Sequence, residues 1–306
     1  MTTYVQKLAE HEMLFTWDVS DTVAKRIGVP NAQSSANSYF EVASGEDFWE
    51  AFRKHRPQWF DGKKSGFFKS ELEAGQHYPR IGRPFAQHGT GGQHLMSPSA
   101  DKCAIELAVA RGRYAVLLRQ LHRICETVLP VPGNWACFGH DIRNLLILAC
   151  TEVESQWRSV LIANGVAQTR YTTNDYVKLA SPMKLAYYTL SFPQYPWLPA
   201  QRPFAGWLES KNPTQDLPWF DAYNAVKHDR EGFFEKATLA SAFDAVGANA
   251  IMLAAQFGFG HAFRDGSLMS MPTTFESYPA WTPEETYVHA AHGEHGFPWT
   301  EINYPF

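Results

Sequence analysis

The chain has 306 residues, which is enough to bury a sizeable hydrophobic core without disulfides or structural metals. Its formal net charge of -4 at pH 7 argues against the extended basic surface of a protein that coats nucleic acid, but leaves room for a local basic site. Because it shows no signal-peptide run, no stretch near the ~20 apolar residues of a membrane span and no C-x-x-C pair, we expect a cytoplasmic protein that contacts no membrane.

Residues 1–98 alternate turn formers and aromatic residues with short amphipathic pieces, one of them from Asp47 to His55. Glycines and prolines between Tyr78 and Pro98 are typical of a loop. The Gly-rich centre of this loop, from Gln87 to His94, lacks the lysine and the spacing of a phosphate-binding loop. We therefore expect an irregular, aromatic-rich N-terminal segment with a surface loop instead of a phosphate cradle.

Two strong helical patterns follow, from about Ser99 to Val128 and from about Gly139 to Ala163. Apolar residues recur in both at the three- and four-residue intervals of one helix face. Each pattern ends at helix-stopping residues, with Pro130 after the first and Asn164-Gly165 after the second. These segments predict two long helices packed on a common core.

Residues 166–212 interrupt this rhythm. The segments Tyr176 to Leu179 and Leu185 to Phe192 favour strands. Prolines between Pro193 and Pro213 favour an extended surface connection. We expect a small β-hairpin and an extended connection inserted between the helices.

A third helical region begins near Pro218, a favourable first-turn residue, and a long helix from Phe234 to about Gly258 follows after a bend. The tail from Met271 is rich in proline, glycine and aromatic residues, which predicts little regular structure. The predicted fold class is therefore mainly α. It is an antiparallel helical bundle over residues 99–265 with the hairpin insertion at 166–212, and irregular segments cover residues 1–98 and 266–306.

The densest group of ionisable and hydrogen-bonding side chains lies between Trp219 and Arg230. On a helix, Asn224 and His228 are one turn apart on the same face. His228 is the group here whose charge can change near neutral pH, and Lys227 and Arg230 add positive charge. We take this stretch as the candidate functional segment.

The second long helix carries a polar stripe at four-residue intervals, formed by His140, Asn144, Glu152 and Gln156. A solvated helix face is one interpretation. The alternative is that Glu152 or Glu154 meets the group of Asn224, Lys227 and His228 across a helix contact, where a carboxylate would orient the imidazole and raise its pKa. The residue pattern leaves both interpretations open.

With Arg143, Glu152 and Glu154 on one long helix and Tyr223-Asn224-x-x-Lys227-His228 on another, the sequence resembles HEPN-domain proteins. These are prokaryotic helical bundles, many of them ribonucleases of toxin–antitoxin and anti-phage systems. The resemblance implies a homodimer that cleaves RNA without metal, and Asn224 and His228 match the polar residue and the histidine of the family signature. Tyr223 stands where the family has an arginine, which would stabilise charge on the scissile phosphate.

In that function, His228 would act as general base or acid on the ribose 2'-hydroxyl and the leaving oxygen. Asn224 would position the phosphate, and Lys227 or Arg230 would neutralise developing charge. No cofactor is implied. The alternative is a catalytically inert helical scaffold that binds a protein or a nucleotide through the same polar groove; the missing arginine favours the scaffold, and the Asn224/His228 pair favours the enzyme.

A second histidine cluster lies in the tail, where His289, His292 and His295 follow one another at three-residue spacing. Imidazoles could bind zinc in principle. A metal-binding helix would place them four residues apart, and Gly293 and Pro298 favour a loop. We expect no metal at this position.

Overall fold

The structure is a computed structural model that describes residues 1–8, 13–60, 66–86, 95–229, 232–263, 273–290 and 299–306. The chain forms two compact units, each assembled from three stretches. Unit 1 contains Met1–Tyr78, Arg83–Pro98 and Ala280–Ile302, and unit 2 contains Pro79–Gly82, Ser99–Pro279 and Asn303–Phe306.

Unit 1 is built on a five-stranded antiparallel sheet with the strand order β4-β3-β2-β1-β5. The strands are β1 (Thr2–Leu8), β2 (Met13–Val19), β3 (Val23–Arg26), β4 (Tyr39–Glu41) and β5 (Gly66–Lys69). In the central register Val5 lies opposite Thr16 of β2 and opposite Phe68 of β5.

Both faces of this sheet are covered. Successive side chains point to opposite faces, so Trp17 packs with the helix α1 (Phe48–His55) on one face, while Val5 and Leu14 pack on the other. The α1 helix begins after Asp47, whose carboxylate accepts a hydrogen bond from the backbone N–H of Glu50. The apolar residues on both faces form two separate clusters in unit 1.

Four short strands complete unit 1. β6 (Gln76–His77) pairs in parallel with β11 (Thr300–Glu301), and β7 (Arg83–Pro84) pairs with β8 (Leu95–Met96). Next to them, the buried Arg83 donates to Glu71 at 2.6 Å and stacks over Tyr78 at 5.0 Å. The buried Tyr287 hydroxyl accepts a hydrogen bond from the backbone N–H of Tyr78. Residues distant in sequence therefore meet around Arg83.

Unit 2 is helical around one central helix. Its helices are α2 (Ala104–Cys125), α3 (His140–Ala163), α4 (Thr173–Tyr176), α5 (Pro218–His228), α6 (Leu239–Phe257) and α7 (Phe259–Phe263). α6 packs against α2, α3 and α5, and every residue from 245 to 257 is buried. This explains why α6 is apolar on all sides.

By length and composition alone, α6 could cross a membrane, with a mean hydropathy of 1.2 over the tested window. It is the one such helix in the part of the chain that the structure describes. Of that window, 83% is buried inside the protein. Packing within unit 2 therefore already covers its apolar surface.

Buried amides join α3 to α6. The Gln156 Nε2 donates to Asn249 Oδ1 at 2.9 Å, and Gln256 Nε2 donates to Gln156 Oε1 at 3.0 Å. Asn249 also donates to the carbonyl of Ala149, and Arg80 Nε donates to Gln256 Oε1. Gln156, part of the polar stripe noted in the sequence, is therefore a buried structural residue rather than a solvated one.

The predicted fold class, a mainly α antiparallel bundle with irregular terminal segments, is wrong, and the protein is mixed α/β. The five-stranded sheet lies within residues 1–98, where the sequence predicts irregular structure. The sequence pattern did not predict the sheet because both of its faces carry buried apolar residues. Its strands therefore lack the alternation of apolar and polar residues that marks a half-buried strand. The long helices of unit 2 lie where the apolar periodicity places them.

The prediction of an inserted β-hairpin is also wrong. Tyr176 ends α4, which starts at a capping box in which Thr172 and Asp175 bond each other's backbone N–H groups. The second predicted strand shortens to β9 (Thr189–Ser191), whose antiparallel partner is β10 (Thr274–Ser277) in the tail. The tail thus contains two of the strands, β10 and β11.

Candidate functional site

The candidate residues of the sequence lie on two helices of unit 2. α3 carries Glu152 and Glu154, and α5 carries Asn224, Lys227 and His228. The sixth candidate, Arg230, lies outside the described residues. α3 and α5 pack against each other, which brings some of these groups together.

A hydroxyl joins the two helices. The Tyr223 hydroxyl donates to Glu154 Oε2 at 2.7 Å and accepts from Lys227 Nζ at 2.8 Å. The ammonium of Lys227 lies 3.7 Å from the same carboxylate oxygen and 4.8 Å from the Tyr223 ring centre. We call these three residues the Glu154–Tyr223–Lys227 cluster.

The cluster holds its protons tightly. Burial, together with the hydrogen bond to Glu154 and its charge, raises the pKa of Tyr223 above its ordinary value. Burial lowers the pKa of Lys227, but the hydrogen bond to Tyr223 and the charge of Glu154 outweigh it, so this pKa is raised. Near neutral pH, Tyr223 therefore stays a hydroxyl and Lys227 stays an ammonium. Neither group is tuned to exchange a proton there.

A cysteine lies one helical turn before Glu154. Cys150 is fully buried in α3, and burial, reinforced by the charge of Glu154, raises the pKa of its thiol well above the ordinary value. Nucleophilic cysteines have lowered pKa values and partial exposure. Cys150 is therefore a packing residue of the core and does not add a nucleophile to the cluster.

Glu152 faces another helix. Arg113 Nη1 of α2 donates to both oxygens of its carboxylate, at 3.1 and 3.3 Å. Burial raises the pKa of Glu152, and the charge of Arg113 opposes that shift. Two residues along a helix turn the side chain by about 200°, so Glu152 and Glu154 cannot face the same neighbour.

His228 lies exposed at the last residue of α5, and Asn224 lies half-buried one turn before it. Within the part of the chain that the structure describes, neither side chain forms a hydrogen bond or an ion pair. The carboxylate expected to orient His228 is held instead by Tyr223 and Lys227. The structure therefore brings Glu154 and Lys227 together and leaves His228 and Asn224 outside that contact.

Tyr223 and Arg113 were missing from the candidate residues. For Tyr223 the sequence contains a signal, because Tyr223 and Lys227 are four residues apart and share one helix face. Tyr223 also stands at the position where the resemblance leads one to expect an arginine. For Arg113 no local signal exists, because its partner Glu152 lies on another helix and the pairing depends on how α2 and α3 pack.

A groove of about 280 Å³ opens between α2 and α3. It is lined by Gln120, Arg123, Ile124, Asp141 and Asn144. A second groove, of about 430 Å³, lies in unit 1 and includes Tyr39, Glu41, His55 and Arg56. None of the candidate catalytic residues is among those lining either groove.

No metal centre is evident among the described residues, which contain no group of three or more His, Cys, Asp or Glu side chains that could hold an ion. His289 of the tail packs its ring against Phe85 and Trp299, with ring centres 4.6 and 5.2 Å away. His292 and His295, like the Gly-rich loop from Gln87 to His94, lie outside the described residues.

No family model, curated protein or solved structure matches this chain. The similarity to HEPN-domain proteins therefore depends on a few residues, chiefly Asn224 and His228. It stays a prediction, and the geometry of unit 2 has to carry any statement about function.

Proposed function

We propose that this chain is a non-catalytic binding protein and that the groove between α2 and α3 takes a mononucleotide. The single observation that supports a non-catalytic protein is that the Tyr223 hydroxyl bonds both Glu154 and Lys227. It occupies the carboxylate and the ammonium that an acid–base mechanism at His228 would need. The same contact fixes α5 to α3, which is a structural role.

Acid–base cleavage of RNA needs a base and an acid held within hydrogen-bond reach of the reacting oxygens. His228 has no side chain in the described structure to hold its ring in one orientation. Lys227 and Tyr223, which lie on the same helix as His228, have raised pKa values and keep their protons at neutral pH. This arrangement favours the binding protein over the ribonuclease.

The groove offers the contacts that a nucleotide requires. The Arg123 guanidinium can bind a phosphate in a two-pronged manner. The amides of Gln120 and Asn144 both donate and accept, as the edge of a base does, while Ile124 provides an apolar surface. Arg143 donates to Asn144 Oδ1 at 3.2 Å, which orients this amide.

The size of the groove limits the ligand. Its volume of about 280 Å³ lies at the lower end of the range for small-molecule sites. A mononucleotide suits this volume better than a dinucleotide cofactor. The carboxylate of Asp141 at the groove supplies an acceptor for ribose hydroxyls.

Calorimetric titration tests the binding half of the proposal. The protein is titrated with AMP, GMP, CMP, UMP and ribose 5-phosphate, and we expect at least one mononucleotide to bind. Arg123→Ala should weaken binding by about tenfold or more, since hydrogen bonds to charged groups contribute about 1.5–3 kcal/mol. Arg170→Ala, which removes an exposed arginine away from the groove, serves as the control. Absence of heat with every ligand would overturn the nucleotide assignment.

A cleavage assay tests the non-catalytic half. Structured and single-stranded RNA are incubated without metal with the wild-type protein and with His228→Ala. We expect no cleavage by either. Cleavage by the wild type that disappears in His228→Ala would instead support the ribonuclease, with Asn224 as its phosphate-positioning residue.

A further inference from the structure

The outward face of α2 carries an apolar stripe that no other described residue of the chain covers. Ile105 is 79% exposed, Val109 46% and Val116 37%. Together with Gly112, these residues follow the helical spacing of one face, and we call the four of them the α2 stripe. Isolated exposed aliphatic residues are ordinary, whereas a continuous exposed stripe is typical of an interaction surface.

Among the described residues, no packing contact requires a glycine at Gly112, in the middle of the stripe. It lies inside a helix of 22 residues, where glycine is the least favourable residue apart from proline. A Cβ atom placed on Gly112 would meet no atom within 4 Å. A missing side chain on an exposed helix face does, however, let a second helix approach closely, because the distance between packed helices depends on the side chains at their contact.

Opposite charges lie at the two ends of the stripe. Asp101 is in the turn that leads into α2, where its carbonyl accepts from the Ala104 N–H, and Arg119 is near the other end. Asp101 therefore precedes the first residue of the helix and Arg119 lies within its last two turns, so the two charges are at opposite ends of the stripe. Both are exposed, and neither forms an ion pair within the described part of the chain.

We propose that the α2 stripe packs antiparallel against the α2 stripe of a second copy of this chain, forming a two-fold symmetric dimer. Such an interface is self-complementary, because each contact occurs twice. Val109 of one copy faces the space above Gly112 of the other, and Ile105 faces Val116. Asp101 then lies beside Arg119 of the second copy, so the charges match only when the helices run in opposite directions.

The dimer does not depend on nucleotide binding. Arg123 and Asn144 of the groove are not part of the stripe. A monomeric variant should therefore still bind the nucleotide. A variant that no longer binds the nucleotide should still form the dimer. The two proposals can fail separately.

Sedimentation velocity over a range of protein concentrations tests the interface. We expect the wild type to form a dimer and Val109→Lys to weaken it by about tenfold or more, because an ammonium would be buried without a partner. Leu208→Lys, which changes a residue that is 53% exposed outside α2, should leave the dimer intact. A wild type that stays monomeric at high micromolar concentration, or equal association of both variants, would overturn the proposal.

Mixing two variants tests the antiparallel direction. Asp101→Arg alone and Arg119→Asp alone each place like charges together twice, so each should dimerise less well than the wild type. In an equimolar mixture the two chains have matching charges at both ends of the stripe, and association should recover. A mixture that associates no better than either variant alone would rule out this arrangement.

Gly112→Ala separates the interface from helix stability. An added methyl group meets open space in the monomer and favours the helix, so the melting temperature of dilute protein should rise. The same methyl group fills the space that Val109 of the second copy would enter, so the dimer should dissociate more readily. A rise in melting temperature without weaker association would contradict close packing at Gly112.

Discussion

Tyr223 contacts two charged side chains at once, donating to Glu154 and accepting from Lys227. The residue is 1% exposed, so water does not replace these bonds easily. An arginine at this position, as the resemblance to HEPN-domain proteins would require, would place a second cation beside Lys227. The hydroxyl instead satisfies both charges without adding one, which suits a fixed helix contact.

The first prediction concerns this hydroxyl. Tyr223→Phe should lower the free energy of unfolding by about 1–3 kcal/mol, because the buried side of Glu154 loses its donor. Urea denaturation measures the change. In a double-mutant cycle with Glu154→Gln, the two substitutions should be non-additive by at least about 0.5 kcal/mol. Additive effects would mean that the hydroxyl and the carboxylate do not act together.

Asp244 is a second residue whose environment has a measurable consequence. It lies on the central helix α6, and burial raises the pKa of its carboxyl to about 7. In the unfolded chain an aspartate has a pKa of about 3.9. Between these two values the folded state retains a proton that the unfolded state has released. Raising the pH therefore favours unfolding over this interval.

We predict that Asp244→Asn removes this dependence. The stability of the wild type relative to the variant should fall by about 2–4 kcal/mol between pH 4 and pH 7 and then stay level. Urea denaturation of both proteins at several pH values measures the difference. The exposed Glu235→Gln provides a control on the same unit. A stability of the wild type relative to the variant that rises with pH over this interval would contradict a raised pKa.

At the scale of elements, the contact between α3 and α6 depends on polar side chains as well as apolar ones. Asn249 donates to the Ala149 carbonyl and accepts from Gln156, and all three groups are buried. Asn249→Ala should cost about 2–4 kcal/mol of stability, since it leaves the buried Gln156 amide without its acceptor and removes the side-chain bond between α6 and the Ala149 carbonyl. Thermal denaturation measures this loss, and the exposed Ser155→Ala on α3 should change little.

The elements also show what the sequence can predict. α2, α3 and α6 follow from apolar residues repeating along one helix, and α5 from its first-turn proline Pro218, signals contained in each segment itself. The sheet of unit 1 does not, because strands such as β1 bury side chains on both faces and lose the alternating pattern. The predicted pairing of β9 was wrong for a different reason, because its partner β10 belongs to the distant tail.

The same distinction applies to the candidate site. The sequence left open whether Glu152, Glu154 or neither would meet the polar segment of α5, and the structure places Glu154 against Lys227. Which α5 group it would meet was not predictable. The choice between Tyr223 and His228 depends on the rotation of α5 against α3, a property of tertiary packing that leaves no local trace in the sequence.

At the scale of the whole molecule, the two units share the chain in alternating stretches. Tyr287 and Val288, both buried in unit 1, come from the segment Ala280–Ile302. The same segment supplies β11, the partner of β6. Unit 2 takes only Asn303–Phe306 from this end of the chain, where the Tyr304 N–H donates to Asn164.

We therefore predict that a chain ending at Pro279 loses unit 1 and keeps most of unit 2. Hydrogen exchange followed by mass spectrometry should show fast exchange in β1 and β2 and retained protection in α3 and α6. The full-length chain provides the reference. Protection of β1 and β2 in the shortened chain would mean that unit 1 does not need the segment Ala280–Ile302.

The alternating course of the chain also sets the order of events during synthesis. β1 and β2 are translated before most of unit 2, but Val288, which packs on one of their faces, is translated after nearly all of unit 2. Until Val288 is translated, the cluster around Val5 and Leu14 is therefore incomplete, and transiently exposed apolar surface is prone to aggregation. Slow translation or low chaperone capacity should thus reduce the yield of soluble protein even when the finished fold is stable.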